Sequence, residues 1–143
     1  MAQVFEGLGW KQYFLRIRIG PGKAVGFGML DKKPVFILPG GPASNLMGLL
    51  QIALPGLLAL AGHADCGLPR INARLGTGIE GRQRDWTNFF FGRLEDGGEF
   101  PVFHPLNDSS RLRAIAKADA IACIPEGQGS FLEGTLLSVQ VLK

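Results

Sequence analysis

The chain has 143 residues and a net charge of +3; 46% of it is hydrophobic and 19% charged, the profile of an ordinary soluble chain of one or two small domains. Its 15 Lys and Arg are spread along the sequence with no aromatic ladder, which excludes nucleic acid as the expected partner, and a pI near 9.1 favours acidic ligands only weakly. The N-terminus lacks the basic start and apolar core of a signal peptide, and Cys66 and Cys123 match no CxxC pattern, so a reducing cytoplasm is expected.

Taken in chain order, Val4 to Leu8 reads as the tail of a helix ending at Gly9. Tyr13 to Ile19 alternates like a strand, and "GPGKAVGFG", residues 20 to 28, reads as a glycine-rich loop. Val35 to Leu38 is a short apolar run with the character of a buried strand. It stops at Pro39-Gly40-Gly41-Pro42. Ser44 is then a good N-cap for a helix over residues 45 to 61, since its oxygen can accept from a first-turn amide. Leu46, Leu49, Leu50, Ala53, Leu57 and Leu58 follow helical spacing, and Gly62 closes the helix. Gly40 and Gly41 permit unusual dihedrals and close approach to the main chain. Strand, glycine turn and helix start together can present amides to an anion. On the local residues alone, a tight strand-to-helix connection is the favoured reading.

The helix contains Gln51 and Pro55 and is shorter than the roughly 20 residues of a membrane span, so no membrane is expected. "HADCGLP" follows as a linker. From Pro69 onward the pattern changes to short strands, "RINARLG", "WTNFFFGRLE", "FPVFHPL", "AIACIPE" and "TLLSVQVL", with "SSRLRAIAKA" alone looking helical. Twenty-one glycines and this spacing favour a small barrel or sandwich. The first region offers about two buried-type strands and one helix, whereas an α/β sheet needs several strands with helices on both faces. It therefore reads as incomplete, with strands expected from upstream or from a partner.

Several motifs carry bland readings. "GPGKA" lacks the hydroxyl that a phosphate loop needs after its lysine, because Ala24 stands there. His63 and Cys66 have ligand-like spacing but no second pair. His104 reads as a packed strand residue, and Glu95, Asp96 and Glu99 as solvated surface. No metal ligand is assigned. Ser109 and Ser110 form an N-cap pair for the following helix. Phe89, Phe90 and Phe91 read as core and sheet-face aromatics.

Two longer stretches carry a specific resemblance. "GPGKAVGFGMLDKKPVFILPGGPAS" resembles the molybdopterin molybdotransferase family (MoeA proteins and the gephyrin E region), whose pattern is KPGKPxxFG…LPGNPxS. "NDSSRLRAIAKADAIACIPEG" resembles the family's QGSxxLxSLxxANGLxxLPEG segment, in the right order and at compatible spacing. The resemblance runs from about Val4 to Leu142. It implies an α+β chain. Residues 1–64 would be the terminal strand-turn-helix piece of an α/β molybdopterin-binding (MoaB/Mog-like) domain, and residues 65–143 a small β-barrel domain. The implied activity is molybdenum cofactor biosynthesis, inserting molybdate into adenylylated molybdopterin, in a homo-oligomer. The family's Mg²⁺ is held by acidic groups upstream of the part seen here, so this chain alone is expected to be inactive. The alternative is a non-catalytic molybdopterin- or anion-binding, or protein-assembly, module of the same fold.

By resemblance, the family's substrate-binding positions fall on Arg16, Lys23, Pro39, Gly40, Gly41, Pro42, Ser44 and Ser109. Three positions depart from the pattern. Gly41 replaces the loop asparagine and Gly20 the lysine before PGK, while Asp108 beside Ser109 replaces a glycine. Losing a cation and gaining a carboxylate both weaken an oxyanion site.

Overall fold

In the computed structural model, which describes residues 2–107 and 111–143, the chain divides into two units, Met1–Gly67 and Leu68–Lys143. The first begins with a short helix, α1 (Ala2–Gly7), that ends where Gly9 takes a left-handed φ of 85°. Strands β1 (Trp10–Phe14), β3 (Gly26–Leu30) and β4 (Lys33–Ile37) form an antiparallel sheet in the order β1-β3-β4, and β2 (Ile19–Gly20) is a two-residue segment in the intervening loop. The strand expected from Tyr13 to Ile19 starts earlier, at Trp10, and a bulge between Gln12 and Phe14 breaks it.

The glycine-rich stretch is likewise only half loop, since Gly26 to Gly28 already belong to β3. A buried tryptophan explains glycine there. Trp10 is 5% exposed and its indole lies on Gly28, where any Cβ would overlap the ring. Phe14, Phe27 and Phe36 stand in register on the opposite face, with Phe27 and Phe36 centroids 5.0 Å apart.

A continuous helix follows over Pro42–Leu60. It comprises α2 (Pro42–Gly48), a π turn over Leu49–Ala53, and α3 (Leu54–Leu60). The Leu54 amide reaches back five residues to the Leu49 carbonyl. This wide turn sits just before Pro55, which has no amide to donate, so the helix absorbs the proline without stopping. Small residues make the packed face: Ala43, Gly48 and Ala53 are buried with Met47, and Gly56 rests on Phe36, where a Cβ would lie 2.6 Å from Cζ.

Two expectations for this helix are corrected. Its cap is Gly41 (φ −75°, ψ 135°), with no side-chain cap bond, because Pro42 is already fixed in helical φ and has no amide to leave unpaired. Ser44 therefore lies inside the first turn. The helix also reaches 19 residues with a mean hydropathy of 1.6, long and apolar enough to cross a membrane by length and composition. Length thus does not exclude a span.

The second unit is a closed barrel. Strands β5 (Arg70–Leu75), β7 (Thr87–Glu95), β8 (Val102–Pro105), β9 (Ala120–Ile124) and β11 (Leu136–Val141) run in the order β7-β8-β5-β11-β9, and β9 pairs back to β7. β5 and β8 are parallel, and the other pairs antiparallel. A ribbon of β6 (Ile79–Glu80) with β10 (Ser130–Phe131) and a helix, α4 (Arg111–Lys117), complete it. Ala73, Ala120 and Ala122 leave the interior to the larger Phe103, Leu75, Ile124 and Val139, all at most 1% exposed. Gly92 of β7 lies against the Phe103 ring, so no side chain fits there.

Candidate anion-binding site

The geometry of Pro39-Gly40-Gly41-Pro42 is fixed by one side chain. Asn45 donates from Nδ2 to the Pro39 carbonyl at 3.0 Å, and its backbone amide donates to the Gly41 carbonyl at 2.7 Å. Both ends of the turn are thereby tied to the first turn of α2. Neither Gly40 nor Gly41 uses the left-handed region, and a Cβ at either would meet nothing within 4 Å. The expected dihedral requirement is absent. What the glycines provide is uncovered backbone. Pro42 has no amide, and those of Ala43 and Ser44 have no acceptor within the helix.

The basic loop is built separately and comes to the same place. The Ile17 amide bonds the Lys23 carbonyl at 3.1 Å, and Val25 bonds Gly22 at 3.1 Å, closing residues 17 to 25 into a compact loop. Gly22 has a φ of 122°, and a Cβ there would lie 2.8 Å from Ile19 Cδ1 and 3.6 Å from Met47 Cβ. The loop can sit this close to α2 only with glycine at its tip. At Gly48 a Cβ would be 3.4 Å from Pro39 Cδ and 3.4 Å from Val25 Cγ2. One residue from each loop thus brackets the same helical glycine. The structure brings the Arg16–Lys23 loop and the Pro39–Pro42 turn together on the first two turns of α2.

The electrostatics of this corner are one-sided. No Asp or Glu occurs between Glu6 and Asp31, a stretch that holds Lys11, Arg16, Arg18 and Lys23. All four cations are exposed. The positive end of the helix dipole lies in the same unit, beside the loop that carries Arg16, Arg18 and Lys23. Ser109, the remaining expected site residue, lies outside the described residues, as does Asp108.

Sequence reasoning missed one contributor. Asn45 read only as a polar interruption, and nothing local marks that its side chain reaches back six residues.

Other candidates resolve into structure. His104 Nε2 lies 3.3 Å from Glu95 Oε2, so that carboxylate has a partner on the barrel surface. The Cys66 thiol donates to the His63 carbonyl at 3.2 Å within the linker. Cys123, half-buried on β9, has its thiol pKa raised by burial, partly offset by the positive charge of Arg70. Among the described residues no three His, Cys, Asp or Glu converge as metal ligands.

Comparison with known proteins follows this geometry. No curated protein matches the chain. Residues 72–142 match the family described as MoeA C-terminal region (domain IV). A molybdopterin biosynthesis MoeA protein from Pyrococcus horikosii superposes with a TM-score of 0.82 at 29% identity, over 99% of this chain and 34% of its own. A molybdenum cofactor biosynthesis protein from Pyrococcus furiosus superposes with a TM-score of 0.77 at 18% identity, over 93% of this chain and 46% of its own. The chain thus spans less than half the length of these relatives. With residues 72–142 matched in sequence and the whole chain matched in fold, the chain corresponds to a C-terminal piece of MoeA proteins.

Proposed function

We propose that the chain serves molybdenum cofactor biosynthesis as the anion-binding side of a molybdopterin molybdotransferase. The observation that carries this reading is the convergence of two loops on α2, one basic and one with open backbone. Molybdopterin carries a phosphate and molybdate is a dianion, so both would be held by the same means. Lys23 and Arg16 supply charge. The uncovered turn from Pro39 to Pro42 lets an oxyanion approach the amides at the start of α2, including that of Ser44.

Carboxylates to hold a Mg²⁺ would come from outside the described residues, among which no three His, Cys, Asp or Glu converge. We further propose that two copies associate through the apolar side of the 42–60 helix, where Leu57 and Leu60 are 49% and 66% exposed.

The test is titration of the full chain with molybdate and with phosphate against chloride at matched ionic strength, followed by NMR. Selective shifts are expected at residues 16 to 25 and 39 to 45. Gly40→Val is a clean probe, because a Cβ at this position meets nothing and the backbone is not left-handed. The variant should fold normally and bind at least about tenfold more weakly, since a branched side chain covers the turn. Unchanged oxyanion binding by Gly40→Val would leave this turn as a simple connection.

A further inference from the structure

We infer that the hairpin end of the first unit is a docking surface for an anionic lipid bilayer, met peripherally. The course of the long helix brings apolar and basic side chains together there. A Cβ at Gly48 would meet Leu38 and Pro39, beyond the end of β4, whereas one at Gly56 would meet Phe36 within it. The helix therefore runs back along β4 towards the turn that joins β3 to β4. Leu60 lies four residues past Gly56, about 6 Å further on, a step that matches Phe36 to Pro34 along the strand. Pro34 stands in one cross-strand row with Met29 and Lys11, on the face that carries Phe36. Lys32 lies in the turn itself and Lys33 at its foot.

Leu57 and Leu60 are exposed, and so is Tyr13, whose ring stacks on Phe27 at 5.7 Å with the Lys11 ammonium 5.8 Å from its centroid. Lys11, Lys32 and Lys33 are all exposed, and Asp31 is the one acid of the hairpin. Three lysines against one aspartate give this end a positive charge that an anionic surface complements.

Each residue type has a place in such a contact. Leucines enter the boundary below the headgroups, a tyrosine sits at headgroup level, and lysines lay their stems on the apolar surface with the ammonium on phosphate. The helix does not cross the bilayer, because Ala43, Met47, Gly48 and Ala53 are buried and only its C-terminal end is free to enter. The bilayer competes with a second copy for Leu57 and Leu60 and, unlike that copy, gives the lysines opposite charge. The oxyanion corner lies at the other end of the same 19-residue helix, about 27 Å away, so the two surfaces are separable.

Flotation of the intact chain tests this, with vesicles of phosphatidylcholine alone and of phosphatidylcholine with about 30% phosphatidylglycerol. The chain should float with the anionic vesicles and stay in solution with the neutral ones. Lys11→Ala should weaken that binding about fivefold, and Leu57→Glu with Leu60→Glu should abolish it with the circular dichroism spectrum unchanged. Arg82→Ala removes one exposed cation from the barrel and should leave it unaltered. Equal losses in Arg82→Ala and Lys11→Ala would show that net charge drives the contact, and would overturn the inference. Displacement from the vesicles by inorganic phosphate at matched ionic strength would place the lipid phosphate in the oxyanion corner and overturn it as well. No flotation with either vesicle would end the inference and leave the proposed function standing.

Discussion

Single glycines in this protein record what lies against them. Gly28 makes room for Trp10, Gly56 for Phe36 and Gly92 for Phe103, each at a point where an element interior would otherwise carry a side chain. Two of these three packing glycines give direct tests. Gly92→Ala sets a methyl into the ring of a wholly buried phenylalanine, and should destabilise the barrel by about 1–3 kcal/mol in denaturant unfolding. Gly56→Ala should act similarly on the first unit, moderated by the intrinsic preference of helices for alanine. The cysteines differ in a way that pH exposes. Burial raises the Cys123 pKa, so the folded state holds its proton more tightly than the unfolded chain does. Stability contributed by this thiol is complete below the ordinary thiol pKa of about 8.5 and declines as pH rises past it. Alkylation followed by mass spectrometry near pH 8 should accordingly modify Cys66 before Cys123. The reverse order would contradict the burial of β9.

Elements with strict patterning were readable and those shaped by neighbours were not. The five barrel strands fall within the segments that short apolar runs and glycine turns marked, because a strand rich in β-branched and aromatic residues is bounded by its turns whichever faces it buries. β3 hid inside a glycine-rich run because its glycines answer to Trp10 and Leu15, which are distant or unremarkable in sequence. The helix start moved to Pro42 because proline pre-set the first turn more strongly than Ser44 could cap it. The site was legible to the same degree. Arg16, Lys23 and the Pro39–Pro42 turn came from motif positions, whereas the approach of Gly22, Val25 and Pro39 to Met47 and Gly48 is a tertiary fact. The helix itself carries a prediction. α3 exposes Leu57 and Leu60, which are available to a second copy. Leu57→Glu with Leu60→Glu removes two apolar contacts and adds like charges facing each other across a two-fold interface. Self-association in sedimentation velocity at tens of micromolar should weaken at least about tenfold. An unaltered chain that sediments as a monomer at that concentration would end the proposal of a homo-oligomer.

The charge of the whole molecule is partitioned between its units. Residues 68–143 carry nine cations and nine carboxylates, whereas residues 1–67 carry six cations and three carboxylates, so the entire net charge of +3 belongs to the first unit. In the barrel, several charges face opposite partners. Asp119 lies 3.8 Å from both Arg93 and Lys143 and accepts from the Leu94 amide at 3.2 Å, and Glu95 meets His104. Such pairs are worth little in stability when solvated, but they leave little field for an outside anion. The cations on residues 11 to 23 have no acidic neighbour in sequence and belong to the unit that carries the net charge. This difference predicts where any oxyanion goes and how it responds to salt. Phosphate added to the full chain should shift NMR resonances of residues 11 to 25 and 39 to 45, with the barrel arginines Arg70, Arg74 and Arg93 unmoved. Raising the salt from about 20 mM to about 500 mM shortens the Debye length from roughly 20 Å to roughly 4 Å and should weaken that binding severalfold. Binding that persists at high salt would point to desolvated contacts at the helix start rather than to the exposed cations. Equal shifts at the barrel arginines would show that the charge partition does not direct the ligand.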